Sequence, residues 1–116
     1  MPPVDVGELG RFASGDNDFM QEMILLFIKS TESAVDRIQN AIQDEDRRSV
    51  FENAHKIAAS CKQIGAIHLH NLIKQLEEKA KTDEGSESLI SVFQSVKAEI
   101  TEVNSFLKLY LEENCT

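Results

Sequence analysis

The feature that most constrains the fold of this chain is a stretch from Asp16 to Ile64 that contains neither proline nor glycine. Apolar residues recur along it at spacings of three and four, the period of an amphipathic helix. Asp44-Glu45-Asp46 marks a turn that divides the stretch into two helices, and Asp16 is the predicted N-cap of the first. Because alternating runs of the strand type are absent, the sequence predicts an all-α protein.

The second half of the chain shows the same period between glycine-containing turns. Gly65 is predicted to end the helix over about 46–64, and two further helices are predicted over about 68–81 and 87–113. Four long amphipathic helices with short connections favour an antiparallel up-down-up-down four-helix bundle. We expect one domain over 1–116, in which 1–15 form an N-terminal segment and 16–113 form the bundle.

Two expectations concern how the first helices pack. A short helix within 4–13 is expected to lay Val6, Leu9 and Phe12 against the bundle. The stripe on the first long helix is predicted from the following residues: Phe19, Met23, Leu26 or Phe27, Ser30, Ala34, Ile38, Ala41 and Ile42. Met20, Ile24 and Ile28 widen this stripe, which predicts that the first half of the helix is covered on more than one side.

Composition narrows the classes of function. A hydrophobic fraction of 41% with 28% charged residues is typical of a globular domain, and no apolar run approaches the roughly 20 residues that span a bilayer. Without a secretory leader, and with two Cys that do not form a disulfide framework, a cytoplasmic protein with no membrane contact is expected. A net charge of −8 argues against nucleic-acid binding, which needs clustered cations.

The helix over about 46–64 carries an exposed histidine. Its apolar stripe consists of Val50, Ala54, Ile57, Cys61 and Ile64. His55 lies about 200° from Ile57 around the helix and so points away from the stripe. Ala58 and Ala59 share the face of His55, and Lys62 returns to within about 20° of it. The pattern predicts an imidazole above a low platform of methyl groups, with a cation beside it.

The motif Ala-His-Lys-Ile-x-x-Ser-x-x-x-Ile-Gly-Ala resembles the signature of histidine-containing phosphotransfer (HPt) domains, and His55 matches the histidine that carries the phosphoryl group in that family. The resemblance extends to Gly15-Asp16-Asn17-Asp18-Phe19 before the first long helix and to the acidic turn before the His55 helix. It implies that His55 exchanges a phosphoryl group with the aspartate of a receiver domain.

Two positions depart from the family pattern. Ala58 stands where the family usually has lysine, and Ala59 stands where it usually has glycine. We therefore expect Lys62, and less directly Lys56, to supply the missing positive charge. Gln63 is expected to add a hydrogen bond near the ring, while Ala58 and Ala59 allow close approach of a partner.

The function implied by the resemblance is that of a phosphorelay intermediate rather than an enzyme. It would accept the group on His55 from one response-regulator receiver, for example that of a hybrid sensor kinase, and pass it to another. No P-loop or kinase-type glycine loop is present, so no ATP site and no bound cofactor are expected, with Mg²⁺ supplied by the receiver. A monomer is expected. The alternatives are an adaptor that docks a receiver or kinase without carrying phosphate, and an unrelated helical domain that dimerises.

The remaining candidate residues favour structural roles. His68 and His70 are two residues apart and cannot share a helix face, so no metal site is predicted. Cys61 is expected to be a small core side chain. A set of large apolar residues, Phe12, Met20, Met23 and Phe27, is expected to be mostly core, with some members exposed near His55 as part of a receiver-docking surface.

Overall fold

The computed structural model of the chain describes residues 3–13, 15–82 and 85–114, with the side chains of Phe12, Ala13 and Asn114 outside the described part. The helices are α1 (Val6–Ala13), α2 (Asn17–Gln43), α3 (Arg47–Gln63), α4 (Ile67–Lys81) and α5 (Ser86–Asn114). No strand occurs in these ranges. The predicted helix positions are confirmed, with boundaries that differ from the expected ones by a residue or two.

The four long helices form a closed bundle. In the order α2, α3, α4, α5 each packs on the next, α5 packs back on α2, and α1 lies across α2 and α3. A single apolar core runs along the bundle, which measures 45 by 22 by 19 Å. Ile24, Leu69, Ile73, Val103 and Leu107 are among its fully buried members.

Side chains satisfy the free backbone groups at several helix ends. The Asp16 carboxylate accepts a hydrogen bond from the Phe19 N–H at 3.1 Å, as predicted for an N-cap, and the Asp46 carboxylate accepts one from the Ser49 N–H at 3.1 Å. At the C-terminal end of α4, Arg47 Nη1 donates to the Lys79 carbonyl at 2.8 Å. The Arg47 contact ties the first turn of α3 to the last turn of α4.

The stripe predicted on α3 is confirmed, since all five of its residues are buried. Two expectations about the other helices are wrong. Val6 is exposed on α1, although Leu9 is fully buried, and on α2 Phe19 is 44% exposed. Of the alternatives Leu26 and Phe27, Phe27 is the buried one and Leu26 is 65% exposed. The buried face of α2 is instead formed by Met20, Ile24, Phe27, Ile28, Thr31, Ala34, Ile38 and Ala41.

Helix length explains why the start of α2 is open. With 27 residues α2 is about 40 Å long, whereas α3 with 17 residues is about 25 Å long. Because α3 runs antiparallel to α2 and ends at Gln63, it leaves part of the first turns of α2 uncovered. The expectation that the first half of α2 is covered on more than one side is nevertheless confirmed, since Met20, Ile24 and Ile28 are all buried and α2 packs against α1, α3 and α5.

Gly65 makes the turn between α3 and α4 and also receives the N-terminal segment. Its backbone has φ +88°, in the left-handed region, and its carbonyl accepts a hydrogen bond from the Asp5 N–H at 2.8 Å. A Cβ atom at this position would lie 2.6 Å from the Asp5 carbonyl oxygen. The turn therefore requires glycine for two independent reasons, its dihedral angle and the close approach of another backbone.

Replacing Gly65 by alanine should lower the free energy of unfolding by about 2 kcal/mol, because the new methyl group adds left-handed strain and displaces Asp5. Urea unfolding followed by circular dichroism measures the change. Gly10→Ala is the matched control, since a Cβ there meets nothing within 4 Å and α1 should gain about 0.5–1 kcal/mol of helix propensity. Equal stability of the two variants would contradict this account of the turn.

Candidate functional site

His55 lies near the middle of α3 with 64% of its side chain exposed. The core stripe of α3 is turned towards α2 and α4, so the opposite arc of the helix, which carries His55, faces solvent. The structure thus places the imidazole where the sequence predicted it, within reach of a partner.

The Glu77 carboxylate of α4 holds one nitrogen of this ring. Its Oε1 lies 3.1 Å from His55 Nδ1, and its Oε2 lies 3.1 Å from Lys74 Nζ. Only 5% of the Glu77 side chain is exposed. An ionised carboxylate can only accept hydrogen bonds, so Nδ1 carries the proton and Nε2 of a neutral imidazole keeps its lone pair. The contact favours the tautomer that leaves the lone pair on Nε2.

An aromatic ring from α3 lies beside the imidazole. Phe51, one turn before His55, stacks on it with ring centroids 5.6 Å apart and an interplanar angle of 14°. The Lys81 ammonium, at the end of α4, lies 5.0 Å from the centroid of the Phe51 ring. His55 is therefore exposed but contacted on two sides, at Nδ1 by a carboxylate and along the ring by a phenyl group.

The cations near the imidazole come from α4. Lys74 and Lys81 contact the two groups that touch His55. Lys62 and Lys56, which the sequence favoured, are exposed on α3, and within the described residues neither forms an ion pair. The helix adjacent to α3 was missed as a source of charge because residue spacing within one helix carries no information about its neighbour.

The remaining predicted residues lie on two arcs of α3. Ala58 is buried at 3% exposure, so it packs beneath the surface and does not form a platform; Ala59 is exposed. Ala59, Lys62 and Gln63 line a shallow open depression whose other side is formed by α1. The expectation that Ala58 forms part of a platform is wrong because α4 packs on α3 and covers the side of the helix that faces Glu77.

A groove between α2 and α3 contains exposed apolar residues. It has a volume of about 310 Å³ and is lined by Phe19, Glu22, Met23, Leu26, Phe27, Ser30, Ser60, Gln63 and Ile64. Of the residues proposed for a docking surface, Met20 and Phe27 are buried and Met23 is half-buried. Ser60 and Gln63 lie about 8 and 12 Å along the α3 axis from His55, so the groove is close to the imidazole.

Glu77 is the site residue that the sequence analysis missed. A signal was present, because Glu77 follows Ile73 by four residues and therefore falls on the buried stripe of α4. A carboxylate in such a stripe needs a partner, and its position in the antiparallel register lies opposite His55.

Cys61 on α3 is buried in the core of the bundle, and burial raises the pKa of its thiol from 9.0 to about 12. Cys61 therefore has the environment of a packing residue, as the sequence indicated.

In the described ranges no cluster of three or more His, Cys, Asp or Glu side chains could hold a metal ion. Nor do those ranges contain a helix with the length and apolarity needed to cross a bilayer.

Comparison with known proteins identifies the family. The sequence model of the Hpt domain matches residues 22–106, most of the chain. The chain belongs to the Hpt domain family. The predicted resemblance and the all-helical bundle fold are thereby confirmed.

Individual relatives of this HPt domain are distant in sequence. The chain is 22% identical over 111 residues to Sensor protein EvgS of Escherichia coli O157:H7 and of E. coli K12, covering 96% of this chain but only 9% of each relative. A crystal structure of the HPt domain from a Shewanella Hpt sensor hybrid histidine kinase matches with a TM-score of 0.84 at 20% identity, covering 98% of this chain and 97% of that one. That structural match shows the fold.

Membership of the family supports a role in two-component phosphorelay signalling. In the structure the His55 side chain is exposed and its Nδ1 contacts the Glu77 carboxylate. The tautomer, the cations of α4 and the stacked Phe51 are properties of this chain that the motif alone does not describe.

The raised pKa of Cys61 gives a prediction for a Cys115→Ser background, which leaves a single thiol. At pH 8 the folded protein should resist iodoacetamide, because the thiolate is the reactive species, and should be labelled once urea unfolds it. Since the folded-state pKa exceeds the unfolded one, stability should also fall as pH rises above about 9. A Cys61→Ala variant, which lacks this titration, is the control for the slope; rapid labelling of the folded protein would contradict the burial.

Proposed function

We propose that this HPt domain is a phosphorelay intermediate that accepts a phosphoryl group on His55 Nε2 from a receiver aspartate and passes it to another receiver. The observation that carries the proposal is the contact of His55 Nδ1 with the buried Glu77 carboxylate on a side chain that is 64% exposed, which leaves the Nε2 lone pair for reaction. In this proposal the chain acts as a phosphoryl carrier. The domain extent 1–116, the monomeric state and the cytoplasmic location expected from the sequence remain predictions.

The transfer step is a displacement at phosphorus. The Nε2 lone pair attacks the phosphorus of the aspartyl phosphate, the N–P bond forms as the P–O bond breaks, and the aspartate leaves as a carboxylate. The imidazole gains positive charge as it forms this bond. The Glu77 carboxylate lies 3.1 Å from Nδ1 and stabilises that charge without taking the proton, and transfer to a second receiver reverses the same steps.

Positive charge for the phosphoryl group is expected from α4 and α3 together, with Mg²⁺ bound by the receiver. Lys74 is half exposed and adjoins the Glu77 carboxylate, while Lys62 and Lys56 are exposed on α3. A receiver would rest on the apolar groove between α2 and α3, where Phe19 and Leu26 are exposed. Burial of these two side chains would supply hydrophobic free energy at about 25 cal/mol per Å² of apolar area.

The test of this function is phosphotransfer from a receiver domain phosphorylated with acetyl phosphate. Wild-type protein should take up an acid-labile, base-stable label, and His55→Gln should take up none while keeping its helical circular dichroism. His68→Gln, which alters another exposed histidine, should label as wild type does. Label retained in His55→Gln would refute the assignment, and tight receiver binding without label would favour the adaptor function instead.

Glu77→Gln should slow the receiver-to-His55 transfer by at least about tenfold, since an amide fixes neither the Nδ1–H tautomer nor the developing imidazolium charge. Rapid-quench measurement of the labelled fraction gives the rate. Glu102→Gln, an exposed change on α5, is the matched control and should have no effect. If Glu77→Gln transfers at the wild-type rate while remaining folded, the carboxylate has no part in the reaction.

A further inference from the structure

The stacking contact between Phe51 and His55 plays no part in the transfer step proposed above. The two rings lie one helical turn apart on α3, 5.6 Å between centroids and 14° from parallel. Phe51 is half-buried and packs against the core, whereas His55 is exposed. A fixed ring thus lies beside a ring that would otherwise be free to rotate.

A single hydrogen bond does not define the orientation of an exposed imidazole. The contact between Nδ1 and Glu77 fixes one ring atom, but the ring can still turn about that contact. A parallel neighbour removes this freedom, because stacking favours one ring plane. The hydrogen bond fixes the position of Nδ1 and the stacking fixes the ring plane. Together they set the direction in which Nε2 points.

Lys81 of α4 contacts the Phe51 ring of this stacked pair. Its ammonium lies 5.0 Å from the Phe51 centroid and 3.7 Å from Glu78 Oε1, so the end of α4 is linked to the phenyl ring. A cation over the face of an aromatic ring is attracted by the ring quadrupole. Lys81 thereby restrains Phe51, and through Phe51 it acts on His55.

We propose that Phe51 is a positioning residue that fixes the plane of the His55 imidazole and directs Nε2 towards an incoming receiver, with Lys81 restraining Phe51 from α4. The effect of Phe51 on phosphotransfer rests on the proposed function, but its effect on the orientation of the His55 ring does not. An imidazole already held in the reactive orientation spares the complex from selecting one rotamer among several.

The first test is NMR of the unphosphorylated protein. Phe51→Leu keeps apolar volume but removes the flat ring, so the His55 Cε1–H and Cδ2–H resonances, assigned with His55→Gln, should lose a ring-current shift and report a broader rotamer distribution. Phe51→Tyr should keep the wild-type resonances. Phe106→Leu, the same change at a half-buried position on α5, is the matched control. Unchanged His55 resonances in Phe51→Leu would overturn the proposal.

The second test separates positioning from direct contact with a receiver. With acetyl-phosphate-charged receiver, Phe51→Leu should lower the maximal transfer rate on the order of tenfold without raising the receiver concentration at half-saturation, and Phe51→Tyr should restore it. Lys81→Met should show a smaller loss in the same parameter, with Lys97→Met as control. A change only in half-saturation would show that Phe51 contacts the receiver and does not position His55.

The two proposals fail in different ways. If wild-type protein takes no label from any receiver, the phosphorelay function is wrong, and the NMR comparison still decides whether Phe51 orients His55. If wild type is labelled and Phe51→Leu matches it in both maximal rate and His55 resonances, the function stands and the positioning role is wrong.

Discussion

The site depends on the register of α3 against α4, because no single helix contains both His55 and the carboxylate that holds it. These residues are 22 positions apart in sequence and meet only because the chain reverses at Gly65 in a left-handed turn. The Asp5 backbone bonds to this turn, and Arg47 joins the other ends of the same two helices. A shift of α4 by one residue would rotate Glu77 by about 100° away from the imidazole.

The burial of Glu77 shows how this register is coupled to electrostatics. A carboxylate that is almost fully buried loses hydration, and hydrogen bonds from Lys74 and His55 offset that loss. The contact with His55 Nδ1 also bears on the histidine tautomer. Packing of α4 on α3 and the orientation of the imidazole thus depend on one side chain, and the proposed function gives a reason for a carboxylate at this core position.

The sequence predicted well what depends on helical period and poorly what depends on which helices are neighbours. The buried stripe of α3 and the exposure of His55 follow from a repeat of 3.6 residues, and both were found in the structure. Whether Phe19 and Leu26 are covered depends on the unequal lengths of α2 and α3. The contribution of α4 to the site depends on tertiary register. Only the position of Glu77 on an apolar stripe gave any indication of it in the sequence.

Charge near His55 differs from the charge of the chain as a whole. The protein has a net charge of −8, and a receiver pocket that binds Mg²⁺ through carboxylates would be repelled at long range. Beside the imidazole, however, α4 contributes Lys74, which contacts Glu77, and Lys81, which contacts Phe51. Repulsion over distances beyond about 8–10 Å is screened at physiological ionic strength, whereas these two ammonium groups contact the groups that touch His55. In the proposed docking of a receiver, the surrounding acidity would slow approach without preventing attraction near the histidine, and the apolar groove would add an attraction that salt does not screen.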